Sequence, residues 1–139
     1  MNTKKAKSKG PVILLYGSFD DWFLEGIMTL GYNYKISNLS NLKNVKGKFD
    51  IVMFGWDAKQ TIGRVLSEVK AVPVIMRGVK GFTDYDPQKE KGNSFKYKKN
   101  TSFHQLEALI KAVECFKYPY DWKNVKQACN DTLKYKVLS

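Results

Sequence analysis

The sequence predicts an α/β domain: a Rossmann-like, doubly wound parallel sheet with helices on both faces and further helices at the C-terminus. Three observations carry that prediction. Short continuous apolar runs, VILLYG after Pro11, FDIVMF from Phe49 and VPVIM from Val72, have strand length and no polar face, as strands buried on both sides require. Segments of helical period lie between them. The connections are long enough to hold a helix, which makes successive strands parallel and their crossovers right-handed.

In chain order, residues 1–10 carry four lysines and no large apolar side chain beyond the initial Met, and are expected to form a disordered basic tail. Residues 11–139 are expected to form a single domain. After the first strand, Gly17-Ser18 ends the run, and Asp20-Asp21 supply a cap and a first-turn carboxylate for a helix through residue 30. Trp22, Phe23, Ile27 and Leu30 fall at helical intervals and are expected to face inward, and Gly31 stops the helix. A second strand is expected around residues 34–36. Residues 38–48 are polar, with room for one or two helical turns at most. The third strand is FDIVMF, followed by an amphipathic helix over 61–71 with Ile62, Val65, Leu66 and Val69 inward. VPVIM is the fourth strand, and residues 95–97 the fifth. Between them, residues 77–94 form a long loop punctuated by Gly78, Gly81 and Gly92; loops of that size are usually functional. Thr101 caps a helix over 102–117 with Phe103, Leu106, Leu109, Ile110 and Val113 on one stripe. Tyr118-Pro119-Tyr120 breaks it, and Asp121 caps a last helix over 122–135.

Composition narrows the function classes. Hydrophobic residues make up 43% of 139 residues, enough to bury one core. The formal net charge is +11, with Arg64 and Arg77 the only arginines. Base reading and bidentate phosphate recognition favour arginine, so a lysine surface of this kind reads as solvated, and nucleic acid is not the expected partner. No run approaches the ~20 apolar residues of a membrane helix. Cys115, Cys129 and His104 make neither a zinc set nor a disulfide framework. The expectation is a cytoplasmic protein without membrane, metal or cofactor.

Residues 49–138 resemble the C-terminal half of glycogen and starch synthases, retaining glycosyltransferases of the GT-B type. The resemblance rests on Asp50-Ile51-Val52-Met53-Phe54 at a "DxFLMPS"-like strand and Val72-Pro73-Val74-Ile75 at a "VPVV" strand. Gly81 to Asp86 stand at the family's glycine turn and "DYD" run, and Lys91 to Tyr97 at "KGTGFVF". From Gly92 to Trp122 the family pattern runs without a gap, with Leu106-Glu107-Ala108-Leu109 in the "LLEAL" place and Phe116, Pro119 and Trp122 in register.

The resemblance implies that the domain holds a nucleotide sugar, ADP-glucose or UDP-glucose, with backbone amides at helix N-termini serving its polar groups. Asp57 matches the acid that contacts the sugar. Thr61, Gly63, Gly78, Gly81 and Asp84 complete the donor-binding candidates; no catalytic residue is assigned. Asp57-Ala58-Lys59-Gln60 departs from the family's Glu-Pro-Cys-Gly run, and the diphosphate-binding Arg and Lys have no counterpart. The family's N-terminal half, with its acceptor groove, is also without counterpart. Catalysis needs both halves closing on one cleft, so the expected function is donor binding, with glucose transfer only alongside a partner half. The alternative is a degenerate, non-catalytic module that binds a protein partner or a polyanion. A receiver-like domain is the fold rival, but Asp20-Asp21 stand too far past Gly17 and position 55, where a receiver has Asp, is Gly.

Overall fold

A computed structural model describes residues 10–37 and 47–138. The tail expected over 1–10 and the polar stretch expected over 38–48 therefore lie largely outside the described residues. Five strands, β1 (Val12–Tyr16), β2 (Asn33–Ser37), β3 (Ile51–Phe54), β4 (Val72–Met76) and β5 (Phe95–Tyr97), form one sheet in the order β2-β1-β3-β4-β5. Every neighbouring pair is parallel. The helices are α1 (Asp21–Thr29), α2 (Ile62–Glu68), α3 (Ser102–Phe116) and α4 (Pro119–Leu138). The fold is the doubly wound α/β sheet that the sequence predicts. Its strand order, one of the two common ones, is shared with receiver domains.

The central strands explain the apolar runs. β3 and β4 are buried at every residue, and Ile13, Leu14, Leu15 and Tyr16 of β1 are buried as well. Asp50 fixes their register at the amino end: its carboxylate accepts the Val12 N–H at 2.8 Å, while its own N–H donates to the Val12 carbonyl at 2.8 Å. The edge strand β2 is mostly exposed, Ile36 included, with Ser37 its one buried residue. The other edge is partly closed by residues 83–86, which bridge to Ser94 and accept bonds from Ser94 and Lys96.

α1 packs on α3, and α4 packs on α3, on α2 and on β4. The right-handed crossovers β1–α1–β2 and β3–α2–β4 run in opposite directions across the sheet, which puts α1 and α2 on opposite faces. α4 thus links the two helical layers. Its attachment runs through Asn93, 7% exposed, whose amide donates to Gly81 O at 2.9 Å and to Thr132 Oγ1 at 2.7 Å while its oxygen accepts the Thr83 N–H at 2.8 Å.

Several expectations are corrected. Phe23 and Ile27 are fully buried as predicted, but Trp22 is 57% and Leu30 45% exposed. Phe103 is 62% exposed, and Ala108, Ala112 and Gln105 sit inside instead. Trp22 and Phe103 are the second residues of their helices and point away from the buried side: Trp22 lies about 100° of helix from buried Phe23, and Phe103 about 180° from buried Ala112. Residues 56–61 form a 3-10 helix (Trp56–Thr61), so α2 starts and ends inside the predicted range. α4 begins at Pro119 rather than 122: proline's fixed φ and missing N–H suit the first turn of a helix. Asp121 is therefore a first-turn residue and not the cap.

Candidate functional site

In a sheet of this order, β1 and β3 are neighbours whose onward connections leave in opposite directions, and the crevice beyond their carboxyl ends is where such folds place ligands. The register pairs Tyr16 with Phe54, so Gly17-Ser18 and Gly55-Trp56-Asp57 face each other there. Their backbones touch. A Cβ on Gly55 would lie 2.6 Å from the Ser18 carbonyl oxygen, and Gly17, at φ 111°, would meet Asp57 Oδ1 at 2.8 Å. Only glycine fits either place.

Asp57 sits in this closure. Its Oδ1 accepts the Ser18 N–H at 3.0 Å, so the carboxylate occupies the amide that an anion beyond β1 would seek. Asp20 does the same at α1: Oδ1 accepts the Phe23 N–H at 3.0 Å and also the Ser102 hydroxyl, which joins the starts of α1 and α3. The Ser102 bond, ahead of the backbone amides, holds the Asp20 carboxyl below its ordinary range. The Ser18 amide beyond β1 and the Phe23 amide at the start of α1 are thus each served by one of the chain's own acids.

Around the crevice stand aromatic and cationic side chains. Trp56 is 41% exposed with its ring 6.1 Å from that of Tyr97, which is buried and donates its hydroxyl to Phe54 O at 2.8 Å. Burial, more than any charge, raises the Tyr97 pKa. Arg77 follows β4, the strand beside β3, and its N–H donates to Tyr97 O at 2.9 Å, the carbonyl of the residue whose ring Trp56 approaches. Lys98 and Lys99 follow β5 at the same edge, and all three cations are exposed.

The predicted site residues divide into groups. Asp57 lies in the crevice and Gly78, at φ 86°, follows Arg77 on its rim with open space about it. Thr61 closes the 3-10 turn, its hydroxyl donating to Ala58 O at 2.9 Å. Gly63 lies in the first turn of α2, and a Cβ there would meet nothing within 4 Å. Gly81 and Asp84 belong elsewhere: Gly81 O accepts from Asn93, and Asp84 Oδ1 accepts the Lys96 N–H at 3.0 Å beside the amino end of β5. Three residues of β5 span roughly 10 Å, so these two are separated from the crevice. Gly17, Ser18 and Gly55 are not singled out by sequence. They read as strand ends, and only the strand order makes them partners.

Among the described residues no group of three or more His, Cys, Asp or Glu is placed to hold a metal ion, and no helix is long and apolar enough to cross a membrane. Both cysteines are free. Burial pushes the Cys115 thiol up to about 11 and Cys129 up to about 12, the reverse of an activated nucleophile. His104 completes a cap, its N–H donating to Thr101 Oγ1 at 3.2 Å and its Nδ1 lying 2.7 Å from the same oxygen. Comparison of the chain with protein-family models, with curated proteins and with solved structures finds no match.

Proposed function

We propose that this domain binds a nucleotide sugar of the ADP-glucose or UDP-glucose class at the carboxyl edge of its sheet, and transfers glucose only with a partner half resembling the N-terminal part of glycogen and starch synthases. The observation that most supports this reading is the gathering of Trp56, Asp57 and Arg77 on the ends of neighbouring strands beside the switch point. Trp56 offers a ring face for the base or the glucosyl ring. Asp57 is an acceptor for sugar hydroxyls beyond its bond to Ser18. Since Asp20 and Asp57 already serve the backbone amides, the diphosphate is met by the Arg77, Lys98 and Lys99 side chains. With no catalytic residue assigned to this crevice, the domain contributes binding and orientation, and a second half the rest.

An amide NMR titration of the full chain with ADP-glucose, UDP-glucose and ADP tests the reading. The expected result is saturable shifts at Gly17, Ser18, Trp56, Asp57, Arg77 and Gly78, with Gly81 and Asp84 unmoved, and binding weakened by Arg77→Ala. No shift at millimolar ligand, or shifts unaffected by Arg77→Ala, would refute it.

A second reading, docking of a protein partner, is favoured by one observation. Trp22 and Phe103 project from adjacent helix starts, joined through Asp20 and Ser102, and both rings are more than half exposed. Isolated exposed apolar side chains are ordinary, whereas two large aromatics on one rim resemble interface anchors. Loss of partner capture in a Trp22→Ala/Phe103→Ala variant that still binds nucleotide sugar would separate the two.

A further inference from the structure

We propose that the groove between residues 84–87 and the corner of α3 and α4 binds a small organic ammonium ion with an aromatic or aliphatic body. The groove has a volume of about 530 Å³, within the range of small-molecule sites. It lies on the outer side of β5, apart from the switch-point crevice, and does not rest on the nucleotide-sugar reading.

Its floor is apolar, made by Phe95, Ile110, Cys115 and Pro87. Its charged lining is three carboxylates, Asp84, Glu114 and Asp121, against one ammonium, Lys111. In a chain with 24 basic and 13 acidic residues, that is a local reversal of sign. Lys117 pairs with Glu114 at 2.9 Å, which leaves Asp84 and Asp121 against Lys111, a lining that is still net negative. Each is oriented by one protein bond, Asp84 by the Lys96 N–H and Asp121 by the Tyr85 hydroxyl at 2.7 Å, and a carboxylate accepts more than one. Two aromatic residues, the buried Tyr85 and the exposed Tyr118, belong to the same lining. Carboxylates and aromatic side chains around an apolar floor suit a cation with an apolar body. An anion is repelled by the same carboxylates, and a neutral apolar body makes no use of them.

The walls are preformed. Residues 86 and 91 pair across a turn, and the Asp86 carboxylate accepts the Gln88 N–H at 3.0 Å. Two phenols tie this segment to α4: Tyr85 to Asp121, and Tyr120 to Glu90 at 2.7 Å. A ligand entering the groove therefore has little ordering to do.

The test uses the full chain and three ligands of one shape, 2-phenylethylammonium, 2-phenylethanol and 3-phenylpropionate, followed by amide NMR and calorimetry. The ammonium ion is expected to bind with a dissociation constant on the order of 1 mM. Its shifts should fall at Tyr85, Phe95, Ile110, Cys115 and Tyr118, with the alcohol roughly tenfold weaker and the carboxylate without effect. Asp84→Asn/Asp121→Asn keeps an acceptor oxygen for Lys96 N–H and Tyr85 and should weaken the ammonium ion roughly tenfold. Lys111→Glu, on the exposed side of α3, should tighten it several-fold and cannot fail for want of a fold in the way a core variant can. Equal binding of all three ligands, shifts outside the groove, or ammonium affinity unchanged in both variants would each overturn the proposal, as would no saturable shift by about 20 mM.

Discussion

At the scale of single residues, two glycines separate conformational strain from crowding. Gly92 has φ 120°, and a Cβ there would overlap Tyr85 Cα and lie 2.5 Å from Asp84 O, both backbone atoms that cannot turn aside. Gly78 also has positive φ, 86°, but nothing lies within 4 Å of a Cβ built on it. Gly78→Ala should therefore cost only the left-handed conformation, about 1 kcal/mol. Gly92→Ala should cost more than about 2 kcal/mol, because the 84–85 segment must leave β5. Urea unfolding of the two variants checks this; equal losses would mean that the close approach at Gly92 is absent. Both glycines were legible as loop punctuation. Which one carries a packed backbone was not, since the contact joins Gly92 to residues seven and eight positions earlier. Trp22 and Phe103 teach the converse lesson. Each can be placed on an apolar stripe by spacing, but the side that packs is set by other residues, Phe23 and Ile27 on α1 and Gln105, Leu109 and Ala112 on α3, and these two aromatics point away from it.

At the scale of elements, the starts of α1 and α3 are held as one unit. Asp20 caps α1 through the Phe23 N–H and accepts the Ser102 hydroxyl at the start of α3. The cap was readable from Asp20 before an apolar-periodic segment, whereas its bond to a residue 82 positions away was not. Asp20→Ala should lower stability by about 1 kcal/mol, the usual loss of an N-cap. Asp20→Asn keeps the cap and removes the charge, which isolates the titration. The folded Asp20 carboxyl is depressed by the Ser102 bond first and the Phe23 amide second. Its charge therefore contributes stability that is complete above the ordinary carboxylate range and is lost as pH falls through the folded value. The gap between native chain and Asp20→Asn in urea unfolding should be widest near neutrality and close on acidification below about pH 4. A gap that grows in acid would contradict the assignment.

At the scale of the whole molecule, alternation of apolar strands and amphipathic segments made the parallel sheet legible, but not the order of its strands. That order decides the site: it is because β3 returns beside β1, and not beside β2, that Gly17-Ser18 meets Gly55-Trp56-Asp57. Sequence proximity suggested a single site running from Asp57 to Asp84, and the sheet divides it between opposite ends of its strands. Charge is the other property of the whole. The chain carries +11, and among the described residues Lys117–Glu114 is the one ion pair within 4 Å, an exposed pair one helical turn long. Such pairs contribute little, so the positive surface is held together against its own repulsion. Screening should relieve that repulsion. The Tm should rise by a few degrees as sodium chloride goes from about 10 mM to about 150 mM, where the Debye length falls to roughly 8 Å. A polyphosphate at matched ionic strength should raise it further only if it engages the lysines as a bound polyanion rather than as screening salt. A Tm that falls with salt would show that attractive pairs, and not like-charge repulsion, dominate the surface; a gain specific to polyphosphate would instead favour the polyanion-binding alternative over a merely solvated lysine face.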